Sequence, residues 1–286
     1  MKRMSKAVPQ LIVGQLAFPE SPRWHNGALW FSDFYTHQVQ RLGPDGSCET
    51  VTTVPGQPSG LGWLPDGRLL VVSMKDRRLL RLDGATLSEV ADLSSLAPFH
   101  CNDMVVDAKG RAYIGNFGFD FLARAEPRAT TLVLVEPDGR TRVVAEDLMF
   151  PNGCIITPDG GTLIVAESYA ARLTAFDITD DGSLRGRRIW AALPGSSPDG
   201  ICLDAEDAVW LASPASREVL RVREGGEVTH RVPMPGQPVA CMLGGALRRT
   251  LYILSGKVNV TPEQSREMRT GTIHAMPVEV AGAGRP

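Results

Sequence analysis

Four residues with hard oxygen donors, Glu20, Asn102, Asn152 and Asp199, stand in stretches that read alike: "PESPRW", "CNDMVV", "PNGCII" and "PDGICL". Two carboxylates would neutralise a divalent cation, and two amide oxygens would add ligands without further charge, which suits Ca²⁺, Mg²⁺ or Mn²⁺. Taken singly, each is better read as a strand-entry cap or an Asx turn. Phase raises them above that reading. Glu20 stands 10 positions before Trp30, Asn102 11 before Tyr113, Asn152 12 before Ile164 and Asp199 11 before Trp210. Ser59 and Val239 hold the same place, 11 before Leu70 and 13 before Tyr252.

The elements that carry this phase repeat along the chain. "GALWFSD", "GRLLVVS", "GRAYIGN", "GTLIVAE", "DAVWLAS" and "RTLYILS" are each a turn-like start, a short apolar run and a small polar stop, as buried strands are. Steps of 40, 43, 51, 46 and 42 residues separate their equivalent points, close to the period of propeller blades. A further strand, often rich in arginine, follows each, and those arginines are expected on solvated outer faces. No ten-residue helical stretch intervenes. The expected fold is therefore all-β: a six-bladed β-propeller forming one domain over residues 1–286, with a metal site in the central channel. The first strand of each blade lines that channel, so one phase position in successive blades points at one axis. "PDG" occurs five times, and the copies at 44–46, 65–67, 137–139 and 158–160 fall where turns belong. The copy at 198–200 falls at the start of an inner strand, so Asp199 has a turn's letters in a different phase.

Composition narrows the partners. A net charge of −2 over 286 residues provides no field that would favour nucleic acid or an anionic membrane. No stretch reads as a signal peptide or a spanning helix. Five cysteines form no C-x-x-C pair, which fits a reducing, cytoplasmic setting. Cys101, Cys154, Cys202 and Cys241 lie near inner-strand starts and read as small hydrophobes rather than as a thiolate site. "GCIITPDGG" lacks the Lys-Ser/Thr pair of a phosphate loop.

"PESPRW", "CNDMVVD" with "GRAYIGNFG", "FPNGCIITPDG" with "LIVAES", "PDGICLD" and the closing "AGRP" together resemble the senescence-marker-protein/gluconolactonase (regucalcin-like) family of six-bladed propellers over nearly the whole chain. The resemblance implies one catalytic divalent cation, Ca²⁺ foremost with Mg²⁺, Mn²⁺ or Zn²⁺ as alternatives, held by Glu20, Asn152 and Asp199, with Asn102 touching it directly or through water. It also implies hydrolysis of lactones: the metal polarises the ester carbonyl and Asp199 assists water as general base. Asp103 matches a pocket residue of the family and is expected to serve in catalysis and substrate binding.

The chain departs from the family at two places. Ser21 replaces the glycine that follows the metal-binding glutamate. His100 stands where sugar lactonases commonly have the arginine of Arg-x-Asn-Asp, and a neutral imidazole suits sugar hydroxyls less than a guanidinium fork does. The longest repeat step carries "FGFDFLARAEPRA", whose Phe117, Phe119 and Phe121 form an apolar segment expected to lie over the channel mouth. His100, Asn102, Asp103 and Phe119 are thus the expected substrate contacts, for a small lactone or ester less polar than gluconolactone. Two other classes of function fit the same residues: a non-hydrolytic rearrangement or cyclisation in the same metal pocket, and a calcium- or ligand-binding propeller without catalysis.

Overall fold

A computed structural model describes residues 8–43 and 46–283. Six four-stranded antiparallel sheets follow one another along the chain. Their innermost strands are Pro19–His25, Pro58–Trp63, Cys101–Val106, Pro151–Ile156, Ile201–Leu203 and Pro238–Gly244. Each inner strand contacts the next, and the first contacts the last, so the six close into a ring. This is the expected all-β six-bladed propeller. The chain closes it by an exchange that the repeat pattern did not reveal: Gln10–Leu16, from before the first blade, pairs with Gly271–Pro277 as the outer strand of the sixth. A seven-residue helix, Pro262–Met268, interrupts that blade and is opened by a capping box from Thr261 and Gln264.

The apolar runs that defined the repeat are the second strands, and they are buried between blades. Leu70, Val72 and Ile114, for example, pack with Met104 of an inner strand in one cluster shared by the second and third blades. Close approach around the axis requires glycine there. A Cβ on Gly153 would stand 2.6 Å from the backbone nitrogen of Ile201 in the next blade, and no side-chain rearrangement could relieve that contact.

Glu20, Ser59, Asn102, Asn152 and Val239 are each the second residue of an inner strand, and Asp199 lies two residues before its own. The shared phase is real. Its counterpart is that the turn copies of Pro-Asp-Gly behave as turns: Asp159 Oδ1 accepts from Gly161 N at 2.9 Å and from Thr157 Oγ1 at 2.6 Å, and Asp66 accepts from Arg68 N at 3.1 Å. Pro44 and Asp45, the end of the "AGRP" segment and the first seven residues lie outside the described residues. Asp159→Ala should lower stability by no more than about 1 kcal/mol, the scale of a lost turn or cap bond. Denaturant unfolding measures this, and a larger loss would show that this copy does more than close its turn.

One expectation about the outer faces is corrected. Arg221, in the third strand of the fifth blade, is 3% exposed, and its Nε donates to Asp204 at 2.6 Å. Asp204 is itself fully buried and accepts from Glu206 N and Ala208 N, so its charge draws the guanidinium inward. Arg41, by contrast, is exposed beside Glu49, as expected.

Candidate functional site

The channel opens at one end into a pocket of about 540 Å³ whose lining includes Glu20, Asn102, Asn152 and Asp199. Inner-strand phase has thus brought all four donors to one cavity. Polar residues at the ends of second strands fix the approach to the inner ones. Asp33 accepts from Ala17 N at 3.1 Å and Phe18 N at 2.8 Å, just ahead of Glu20. Glu167, held by Arg172 and Thr174, accepts from Met149 N at 2.8 Å, just ahead of Asn152.

The amides are oriented by their nitrogens. Asn102 Nδ2 donates to the Pro151 carbonyl at 3.2 Å, and Asn152 Nδ2 donates to Ser168 Oγ at 3.2 Å. Asn152 also hydrogen-bonds Asp199. With its nitrogen engaged, each amide has its oxygen to offer. Glu20 is buried, and its Oε2 accepts from Ser21 N at 2.6 Å. Burial first, and then Asp199, pushes its carboxyl well above the usual range. Asp199, partly open to the pocket, is raised well above the usual range by desolvation and then by Asp103.

Asp103, expected in catalysis and substrate binding, is buried beside the pocket rather than in its lining. It is 4% exposed, is absent from the pocket lining and is tied at 2.5 Å to the guanidinium of Arg23, itself 4% exposed. The pairing of this inner strand shifts register between Cys101 and Met104, and within that irregular stretch Asn102 reaches the pocket while Asp103 packs against Arg23. Desolvation raises its pKa, and Arg23 opposes that rise. Arg23, which the sequence reading passed over, also donates to the carbonyls of Leu61 at 3.1 Å, Pro22 at 2.8 Å and Met104 at 2.5 Å. One guanidinium therefore joins the first three inner strands under the site.

Three buried or half-buried carboxylates, Glu20, Asp103 and Asp199, face one guanidinium. When all are ionised the balance is −2. Without a cation such a cluster holds protons, which is what the raised pKa values express. Two carboxylates and two amide oxygens around a −2 deficit fit a hard divalent cation. Among the described residues no group of three or more His, Cys, Asp or Glu is poised to hold a metal, so a site here depends on the amides.

The pocket walls are aromatic. Phe117, Phe121 and Leu122 come from the long connection in the third blade, Phe150 from the entry to the fourth, Tyr169 from a 3₁₀ turn, and Phe34 and Tyr35 from the matching turn of the first blade. Phe117 stacks on Phe150 at 4.5 Å between centroids, with Phe121 edge-on to it at 5.9 Å. Phe119, an expected substrate contact, is 6% exposed, absent from the lining and edge-on to both Phe150 and Tyr169. Phe150 (φ 59°) and Ser21 (φ 49°) both sit in the left-handed region without being glycine, a strain of about 1–2 kcal/mol each. Both are within two residues of a candidate ligand, where stored strain is commonly found.

His100 lines the pocket as expected, stacked on Phe99 at 4.2 Å, and burial holds its pKa below the usual value. Tyr35 is raised to about 12 by burial and then by Glu20, so its phenol stays protonated. Burial pushes the Cys101 thiol to about 12 and raises Cys154 and Cys241 as well, which agrees with their reading as small hydrophobes.

The profile of the SMP-30/Gluconolactonase/LRE-like region matches residues 18–257. The chain belongs to that family. A 6-deoxy-6-sulfogluconolactonase of Pseudomonas putida is 27% identical over 93% of both chains. Regucalcin of Danio rerio is 26% identical over 85% of this chain and 84% of its own. The crystal structure of a calcium-binding protein, regucalcin, from Agrobacterium tumefaciens superposes with a TM-score of 0.82 at 22% identity, covering 98% of this chain and 97% of that one. That likeness carries the fold.

Proposed function

We propose that this family member is a divalent-metal-dependent hydrolase that opens a lactone or a related ester. The observation that carries the reading is the −2 cluster of Glu20, Asp103, Asp199 and Arg23 at the floor of a deep apolar pocket, with the amides of Asn102 and Asn152 beside it. The lactonase name of the Pseudomonas putida relative supports it. Glu20, Asn152 and Asp199 would hold the cation, with Asn102 alongside, and Ca²⁺ suits the oxygen-only donor set best. When bound, the cation supplies Lewis-acid polarisation of the ester carbonyl. Asp199, partly open to the pocket, takes the proton of the attacking water, and the ring oxygen leaves with a proton as the hydroxy acid forms. The aromatic walls limit competing water.

Those walls also favour a second reading, a non-hydrolytic rearrangement in the same pocket. Incorporation of ¹⁸O from labelled water into the acid product distinguishes the two.

The test is turnover of a lactone panel before and after exhaustive chelation, with metal content measured. Turnover should be lost with the metal while the propeller stays folded, and should return on adding Ca²⁺. Retained turnover in verified metal-free protein would refute the reading. A pH dependence follows from the same cluster. A carboxyl whose folded pKa is raised contributes stability below its unfolded pKa, and that contribution is lost as pH rises through the folded value. Glu20 and Asp199 are of this kind. The gap in denaturation midpoint between metal-loaded and metal-free protein should therefore widen from acid to neutral pH, with protons released on binding.

A further inference from the structure

The pocket is too large and too apolar for its floor alone to explain. Its volume of about 540 Å³ falls among sites that hold drug-sized ligands, more than one six-membered lactone ring needs. Its only cationic lining residue among those described is Lys75, and the polar lining above the floor is spread around the axis: Gln57 before the second inner strand, Ser168 in the fourth blade, and Ser196, Ser197 and Gln237 before the fifth and sixth inner strands. The third and fourth blades together add an aromatic wall. Phe117 and Phe121 are half-buried, so part of each ring remains open to the cavity. Phe150 holds its ring between them from a left-handed backbone.

The wall is built in advance. Phe117 stacks on Phe150 with an interplanar angle of 18°, Phe119 packs on Phe150 at 5.7 Å, and Tyr169, itself in the lining, packs on it at 5.3 Å. The segment that carries Phe117 is itself pinned: Asn116 Oδ1 accepts from Gly118 N at 3.0 Å, and Asn116 Nδ2 donates to the Thr131 carbonyl at 2.9 Å. Rings fixed before binding lose little freedom when a ligand arrives. A polyol against this wall would leave hydroxyls without partners, whereas an aromatic group would find stacked and edge-on positions.

We propose that the substrate is a lactone or ester carrying an aromatic or comparably bulky apolar group, which lies against Phe117, Phe121 and Phe150 while the ester faces Glu20 and Asp199. The ester half of this statement rests on the hydrolase reading; the apolar half rests on the wall.

The experiment compares kcat/KM of the metal-loaded protein for δ-valerolactone, phenyl-substituted δ-valerolactone and glucono-δ-lactone. In parallel, calorimetry measures binding of phenyl-substituted tetrahydropyran, which has the same ring and no carbonyl to attack. Phe117→Ala and Phe121→Ala are measured beside the parent, two variants so that a folding failure in one leaves the other. The phenyl group should raise kcat/KM by roughly 10- to 100-fold over the bare ring, the effect of burying an aromatic side chain. Each variant should remove most of that gain, read as the ratio of kcat/KM for the phenyl-substituted lactone to that for the bare ring. Preference for the glucono-lactone with no binding of the pyran would overturn the proposal and leave hydrolysis intact. If no lactone turns over but the pyran binds and both variants weaken it, the apolar half stands and the hydrolase reading falls. Neither turnover nor pyran binding would overturn the apolar half as well.

Discussion

Asp199→Asn, assayed at saturating divalent cation, should lower kcat by about 10²- to 10⁴-fold, the usual contribution of a positioned general base. An asparagine keeps an oxygen donor for the cation and loses the ability to take a proton, so the defect should persist however much metal is added. Glu20→Gln should behave differently. Glu20 is buried at the floor with its Oε2 engaged by Ser21 N, so its loss should raise the metal requirement and be largely rescued by excess cation. Stability should move the other way from activity. Because Asp199 has a raised pKa in the fold, its ionised form is disfavoured there, and Asp199→Asn should leave the metal-free protein at neutral pH as stable as the parent or more so. Metal titrations of kcat for both variants check this, and equal rescue of the two would remove Asp199 from the base role.

How much of this site the sequence disclosed depends on what set each residue's position. Glu20, Asn102, Asn152 and Asp199 were legible because propeller phase is periodic, and a period survives any amount of substitution between its anchors. The same logic separated Asp199 from Asp66 and Asp159, which share its tripeptide. Asp103 lies in a stretch where the strand pairing shifts register, and its carboxylate is taken up by Arg23, a partner that no spacing in the sequence marks. Of the three phenylalanines in one segment, the middle one packs onto Phe150 and Tyr169, a difference that their shared spacing does not disclose.

Other features had a signal that the phase reading left unused. Phe34 and Tyr35, Phe117, and Tyr169 each follow the polar stop of a second strand, after Asp33, Asn116 and Glu167. A second phase column, taken at strand ends rather than strand starts, would have drawn the aromatic lining from the same repeat. Closure by Gln10–Leu16 had no such signal, since pairing across the whole chain length leaves no periodic trace in either partner. Arg23 had none either: it sits three residues past Glu20 in "PESPRW" and looks like any strand arginine until its partners are known.

Arg23→Met should be the most destabilising single change at the site. Methionine roughly fills the space of the alkyl stem, so the loss is one of charge and donors rather than volume. Asp103 would remain buried without its cation, and the carbonyls of Leu61, Pro22 and Met104 would lose their donor. Breaking one partner of a buried ion pair typically lowers stability by about 3–5 kcal/mol. Because those carbonyls belong to the first three inner strands, the damage should fall on the ring that sets the donors' spacing, and metal affinity should weaken with it. Removing both partners should be much milder, since no uncompensated charge is left: Arg23→Met with Asp103→Leu should recover a large part of the lost stability. Denaturant unfolding of the metal-free single and double variants measures both effects. A loss of under about 1 kcal/mol for Arg23→Met would mean that Asp103 is held neutral in the parent and that the three carbonyls find other donors in the variant. The deficit at the floor would then be Glu20 and Asp199 against Arg23, a net of −1, and the case for a divalent rather than a monovalent cation would weaken accordingly.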